Sequence, residues 1–307
     1  MSKLVELPVG QYDRNAFADF DEAATNFDIG TARAMMWMSQ LAYETHVPDT
    51  IRQVTPLFDL SDVRILIQPV SSAPELTDTR GVIARRGRAT IIAFAGTDPL
   101  HFLNWLSDFT LGKPASPVHE GFRRAAAAVW TDVKAAITTA LAEKSPIFIT
   151  GHSLGAAIAV NIADFARVEL QLKDAQIYLY GCPRAGRADF VTPYNETFGR
   201  TTYRLVNAAD IVPTVPPPQL DFLHVGRYLA CERAARFDAG GLTADFSSND
   251  PRADAGLLAQ IVSLFRGRSL NTRSDLIGFL SSVALPPGIG DHLPDRYCAA
   301  LTPAKTL

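Results

Sequence analysis

Gly151-His152-Ser153-Leu154-Gly155 sets a serine between two glycines. The pattern Gly-x-Ser-x-Gly arises often by chance. Here an apolar run, Ile147 to Thr150, precedes it, and a run of helical character, Leu154 to Leu170, follows it. A serine at such a strand-to-helix turn projects its hydroxyl from a strained bend at the open end of a sheet, where it can act as a nucleophile. Glycine two residues to either side lets strand and helix cross where a Cβ would clash. Ala156 and Ala157 extend the small patch. The helix that starts at Leu154 points free N–H groups at the reacting centre, where they can stabilise negative charge. The competing reading is a glycine turn with a bystander serine, and the strand-helix context favours the nucleophile. His152 leaves the turn in another direction and is read as packing or support.

A serine nucleophile needs a base, usually histidine, oriented by a carboxylate, and at this kind of bend the chain order is Ser, Asp or Glu, His. His46, His101 and His119 precede Ser153, which leaves His224 and His292. His224 lies inside the strand-like run Phe222 to Ala230, a rigid place for a base. His292 lies in Gly288-Ile289-Gly290-Asp291-His292-Leu293-Pro294, a loop before a short helix, which favours it. For the carboxylate, Asp210 stands out because it ends the strand-like run Thr201 to Ala208, and sites gather at the carboxyl ends of parallel strands. Asp221 and Asp189 are weaker candidates, and a plain turn aspartate is the bland reading of Asp210.

The elements that must hold these residues alternate. Asp28 to Glu44 reads as an amphipathic helix with Asp28 or Thr31 as cap. Strands are expected at Val63–Val70, Val82–Arg86 and Thr90–Gly96, with a tight hairpin at Arg86-Gly87-Arg88. A long helix follows over Gly121–Lys144, then strands at Ile147–Thr150, Ala175–Tyr180, Thr201–Ala208 and Phe222–Ala230. Such alternation predicts an α/β protein with a mostly parallel central sheet flanked by helices. The segment 234–256, rich in Ala, Asp, Gly and Ser, reads as a surface excursion with two short apolar helices after it, so that an insertion spans about 234–285. No linker divides the chain, and one catalytic domain over 1–307 is expected.

The 307 residues are 47% hydrophobic, with a formal net charge of −3 and no long basic run, which argues against a nucleic-acid partner. Glu6, Asp13 and Arg14 break every apolar stretch near the start, and no run is long enough to span a bilayer. A cytoplasmic location is the expectation, although leaderless secretion would leave no trace. Cys182, Cys231 and Cys298 have neither metal spacing nor a disulfide pattern and are read as buried filler.

Taken together, several segments resemble the class 3 lipases, the family of the fungal triacylglycerol lipases and their bacterial relatives. Ser39-Gln40-Leu41-Ala42-Tyr43 is similar to the family's first core helix, and Phe94-Ala95-Gly96-Thr97 to its oxyanion strand end, where arginine is more usual than Ala95. Asn104 to Asp108 resembles the lid helix and its exit, and Val118-His119-Glu120-Gly121-Phe122 the entry to the long helix. Gly151 to Gly155 is the nucleophile turn, and Gly181-Cys182-Pro183-Arg184 a strand-end motif after it. Asp210-Ile211-Val212-Pro213 matches the segment of the triad aspartate, and Asp291 to Tyr297, with its His-x-x-x-x-Tyr, that of the triad histidine. The resemblance implies the α/β-hydrolase fold and a carboxylic ester hydrolase acting on acylglycerols or similar lipid esters. Ser153 would attack the ester, His292 would shuttle the proton, and Asp210 would orient His292. The N–H groups of Leu154 and Thr97 would hold the oxyanion. No metal or organic cofactor is required.

The resemblance also favours a lid over about 97–113, with Leu100, Phe102, Leu103, Trp105, Leu106 and Phe109 facing a lipid interface; an ordinary buried helix is the alternative. Phospholipase A1 or acyltransferase chemistry would use the same triad, and a hydrolase fold that only binds is the reading from another class.

Overall fold

A run that is apolar at consecutive positions has no polar face to offer water, so both faces of its strand must be covered. Ile91–Phe94, Ile147–Ile149 and Ile177–Tyr180 are such runs, and they form the middle of the sheet. The computed structural model describes residues 5–69, 78–96, 116–216, 220–244 and 287–303, with the side chains of 116–119 and 287 also set aside. Within them the strands are β1 (Ser61–Pro69), β2 (Asp78–Arg86), β3 (Ala89–Phe94), β4 (Ile147–His152), β5 (Gln176–Tyr180), β6 (Thr202–Asn207) and β7 (Arg227–Cys231). They lie side by side in that order. The pairs β1/β2 and β2/β3 are antiparallel, and β3 through β7 are parallel. This mostly parallel sheet, flanked by helices, is the α/β-hydrolase fold.

The helices are α1 (Ile29–Leu41), α2 (Pro48–Val54), α3 (Ser116–Glu143), α4 (Leu154–Leu170), α5 (Ala188–Phe198), α6 (Pro287–Gly290) and α7 (Pro294–Leu301). Strand alternation divides the core into two layers. Ile92, Phe94, Ile147, Ile149, Ile177 and Leu179 face α3, α4 and α5. Ile91, Ala93, Phe148, Tyr178 and Tyr180 face α1, α7 and the N-terminal segment. The three cysteines are buried, and none forms a disulfide.

Three expectations change. Helix α1 is not amphipathic in use, because every residue from Gly30 to Leu41 is buried. The sheet covers one side of α1, and the N-terminal segment with Tyr12, Ala16 and Phe17 joins it in the same layer. Its polar side chains are satisfied internally: Arg33 pairs with Asp13 at 2.5 Å, and the Ser39 hydroxyl donates to the Met35 carbonyl at 3.0 Å. Asp28 caps the helix as expected, accepting from the Thr31 N–H at 2.6 Å.

The last strand begins at Arg227 rather than Phe222. Before it, Gly226 turns with φ +67° against Thr202, a left-handed bend that ends any extension of the strand backwards. His224 is therefore in the irregular approach to β7, not in a strand. Helix α5 was not expected. Pro193 sits inside it and reads in sequence as a breaker, but buried Phe190, Val191, Tyr194 and Phe198 hold it to the core.

Of the inserted segment, residues 234–244 run beside β7, where the Tyr228 N–H donates to Thr243 Oγ1 at 2.9 Å. The two further helices, and the lid expected over 97–113, lie outside the described residues. Among the described residues no helix is long and apolar enough to cross a membrane.

Candidate active site

Strand β4 hands directly to helix α4 at Ser153, whose backbone is forced to φ 60° and ψ −130°. That is strained for any residue but glycine. The close crossing of strand and helix requires the flanking glycines: a Cβ on Gly151 would fall on the Gly155 carbonyl, and one on Gly155 would fall on the Phe94 carbonyl. The Ser153 N–H donates to the Tyr180 carbonyl at 2.9 Å, which locks the bend to β5. Leu154 opens α4, so its N–H belongs to the first turn, whose donors have no partner within the helix. Gly96, at the end of β3, lies against the nucleophile turn, since a Cβ there would stand 2.8 Å from Ser153 Cβ. Thr97 lies outside the described residues, as do Leu100, Phe102, Leu103, Trp105, Leu106 and Phe109.

Asp210 and His292 come together across 82 positions of sequence, with His292 Nδ1 at 2.8 Å from Asp210 Oδ2. After β6, Ala208 takes φ 48° and turns the chain so that Asp210 folds back over the strand end. Asp210 is 3% exposed and His292 6%, so this is a buried charge partner held by dedicated donors. The Val212 N–H donates to Asp210 Oδ1 at 2.9 Å, and the Tyr297 hydroxyl donates to Oδ2 at 2.5 Å. The Tyr297 oxygen in turn accepts from the Asn207 N–H at 3.1 Å. Burial, then the Asp210 charge, push the Tyr297 phenol well above its usual range, so it stays a donor.

The loop before α7 is fastened separately. Asn207 Nδ2 donates to the Asp291 carbonyl at 2.9 Å, the Ala209 N–H donates to Asp291 Oδ2 at 3.1 Å, and Arg233 pairs with the same carboxylate at 2.5 Å.

Gly181, at the end of β5, joins the nucleophile turn to this pair. Its neighbour Tyr180 receives the Ser153 N–H, while a Cβ on Gly181 would stand 2.6 Å from Asp210 Oδ2 and 2.8 Å from His292 Nδ1. Gly181 also has φ +55°. Gly181→Ala therefore meets both left-handed strain, costing about 1–2 kcal/mol, and a clash with the Asp-His pair. The expected result is a melting temperature lower by roughly 2–6 °C and kcat reduced at least about tenfold. Scanning calorimetry and ester kinetics on the same preparation check it.

The remaining sequence candidates go elsewhere. Asp189 is exposed in the first turn of α5 and accepts from the Phe190 N–H at 3.1 Å. Asp221 is exposed, with φ 61°. His224 is buried, with Nε2 3.0 Å from the Pro213 carbonyl, which makes that nitrogen the N–H donor. Burial, then the Arg204 and Arg184 charges, hold its pKa well below the ordinary value.

Burial lowers His152 in the same way, with the His292 charge second. Each histidine thus has a folded pKa below its unfolded value. The unfolded chain takes up protons that the fold refuses, so the contribution is present above about pH 6.5 and is lost as pH falls below it. His224→Gln should keep wild-type kcat and flatten the fall of melting temperature between pH 7 and 5, as a thermal-shift series across that range would record.

Sequence reasoning assigned no role to Tyr43, Arg80, Asn207 or Arg233, whose relevance depends on contacts between distant segments. Among the described residues no group of three or more His, Cys, Asp or Glu is arranged to hold a metal ion.

Residues 88–220 match the family model described as lipase (class 3). The chain is 32% identical over 162 residues to a lipase of Rhizomucor miehei, covering 48% of this chain and 44% of that protein. It is 33% identical over 133 residues to secreted mono- and diacylglycerol lipase 1 of Fusarium solani, covering 39% of this chain and 38% of that one. The matches thus span less than half the length of these relatives. A solved triacylglycerol lipase whose catalytic centre is formed by a serine protease triad superposes with a TM-score of 0.52 at 27% identity, over 67% of this chain and 81% of that one.

The expected cytoplasmic location is overturned by these relatives. The Fusarium solani protein is named as secreted, as is the mono- and diacylglycerol lipase LIP1 of Malassezia globosa, which points outside the cell. That expectation rested only on finding no apolar leader, and an absence of that kind carries no address. Over residues 88–220 the chain matches the class 3 lipase family, and the fold that surrounds them is similar to that of the solved lipases.

Proposed function

We propose that the protein is a serine-dependent lipase that hydrolyses acylglycerol esters within a single catalytic domain. The observation that carries this reading is the buried Asp210–His292 pair packed on Gly181, beside the strained Ser153 turn. In this reading Ser153 Oγ attacks the ester carbonyl while His292 Nε2 takes its proton. Asp210, acceptor-only and held by Val212 and Tyr297, keeps the His292 proton on Nδ1 and stabilises the imidazolium. The tetrahedral oxyanion forms at the N-terminus of α4, where the Leu154 N–H and the N–H after Gly96 receive it. Each such donor is worth about 10²–10³ in rate.

Collapse expels the alcohol, protonated by His292, and leaves an acyl-serine. Water activated by His292 then releases the acid and restores the serine. The match to the class 3 lipase model and the similarity to a mono- and diacylglycerol lipase support the substrate class. A lipid interface reached through the lid segment is part of the same reading.

The test is hydrolysis of a chromogenic ester series from short to long acyl chains, followed by mono-, di- and triacylglycerol emulsions. Hydrolysis that depends on Ser153 and extends to the emulsions supports a lipase. Activity restricted to short soluble esters replaces it with an esterase. Preference for a phospholipid sn-1 ester would favour phospholipase A1 chemistry, and no hydrolysis of any ester by folded protein would move the reading to an acyltransferase or a binding module.

A further inference from the structure

Beneath the nucleophile turn lies a polar pair that the triad does not use. Tyr43, just beyond the C-terminus of α1, and His152, the last residue of β4, are both buried. The Tyr43 oxygen is 2.7 Å from His152 Nδ1, and His152 Nε2 is 2.8 Å from the His292 carbonyl oxygen. A carbonyl only accepts, so Nε2 carries the hydrogen. A neutral ring then leaves Nδ1 bare, to accept from the Tyr43 hydroxyl.

The Tyr43 hydroxyl also packs against Gly96, where an added Cβ would fall on it. The other side of Gly96 is tied as well, its carbonyl accepting from buried Arg80 at 3.3 Å. The donors therefore run one way from the Tyr43 hydroxyl packed on Gly96: Tyr43 to His152, and His152 to the backbone of His292. Each bond in such a chain polarises the next. The His152 ring also stacks on the His292 ring, with centroids 4.6 Å apart and planes 29° apart.

The two ends of this chain are the two halves of the proposed machinery. Gly96 follows β3 and lies against Ser153, so the Tyr43 hydroxyl and the Arg80 guanidinium together fix its place beside the serine. The far end holds the backbone of the base. We propose that Tyr43 and His152 are positioning residues, a buried bridge that sets the oxyanion side of the site and the His292 loop at one fixed separation across Ser153. The inference rests on the hydrolase reading above and adds two residues to it.

The test compares wild type, Tyr43→Phe, His152→Phe, His152→Gln and the double Tyr43→Phe/His152→Phe on one soluble ester. Rates are expressed per folded molecule from circular dichroism. Misplacing reacting groups lowers kcat with little change in ground-state binding. Tyr43→Phe and His152→Phe should each lose about tenfold to a hundredfold in kcat, with KM changed by less than about twofold. Affinity for an alkylboronic acid, which forms the tetrahedral serine adduct, should weaken by the same factor as kcat. His152→Gln keeps a donor for the His292 carbonyl and should recover most of the rate. The double variant should be no slower than the slower single, because one bridge is broken once.

A purely structural role would lower melting temperature and leave kcat and boronate affinity per folded molecule at wild-type values, and that result overturns the proposal. Losses that multiply in the double variant also overturn it, since they describe two independent residues. If wild type itself shows no Ser153-dependent hydrolysis, the hydrolase reading fails instead.

Discussion

Ser153→Ala is expected to abolish ester turnover, by roughly 10⁴–10⁶-fold in kcat, while the fold melts within a degree or two of wild type. The rate falls because no other nucleophile replaces the hydroxyl. The residual rate comes from substrate binding and oxyanion donors, which survive the change. The stability result follows from the backbone. Ser153 sits at φ 60°, where serine and alanine suffer the same steric strain. The bond that locks the turn uses its backbone N–H to Tyr180, which alanine keeps.

His292→Ala should lose nearly as much activity and more stability, because it empties a buried site and leaves Asp210 Oδ2 with the Tyr297 hydroxyl as its remaining side-chain donor. The measurement is kcat on a soluble ester beside a thermal melt for both variants. A Ser153→Ala protein that hydrolyses esters at wild-type rate would falsify the nucleophile assignment.

Asp210→Asn is expected to lower kcat by about 10⁴-fold with KM nearly unchanged. The reason is that the carboxylate accepts on both oxygens: from Val212 N–H on Oδ1, and from His292 Nδ1 and Tyr297 on Oδ2. An asparagine has one accepting oxygen. If its oxygen faces His292 and Tyr297, its NH₂ opposes the Val212 N–H. If it turns round, the NH₂ faces His292, which must then carry its proton on Nε2, the nitrogen that should receive the serine proton. Tyr297 is also left facing a donor while it continues to accept from Asn207. Either orientation buries an opposed pair of donors at a cost of about 1–3 kcal/mol, so a lower melting temperature accompanies the loss of rate. Steady-state kinetics and a thermal melt check both parts. Raising pH should restore part of the rate, since no imidazolium then needs the missing charge, whereas a merely unfolded variant would show no such recovery.

Much of the fold was legible in sequence because its signals are local. Leu154 to Leu170 forms α4 over the span expected, and the Arg86-Gly87-Arg88 hairpin joins β2 to β3, with Gly87 at φ 57°. Helix α5 was not legible, because Pro193 weakens the local signal and the apolar residues that keep the helix act through tertiary packing. The burial of α1 on all sides was hidden for a related reason. Its polar residues find partners such as Asp13, which lies 20 positions from Arg33.

The same boundary runs through the site. Sequence by itself singled out Ser153 as the candidate nucleophile, because the Gly-x-Ser-x-Gly spacing with a strand before and a helix after is a local steric requirement, met by Gly151 and Gly155. It also narrowed the base to two histidines by chain order. Only the tertiary structure decided that His292 meets Asp210 while His224 bonds the Pro213 carbonyl, that Tyr297 donates to Asp210, and that Tyr43 and the His292 carbonyl are the partners of His152. Those hydrogen bonds reach only about 3 Å, and they join residues separated by up to 140 positions. No periodicity along the chain encodes such a meeting; packing of the two core layers brings it about.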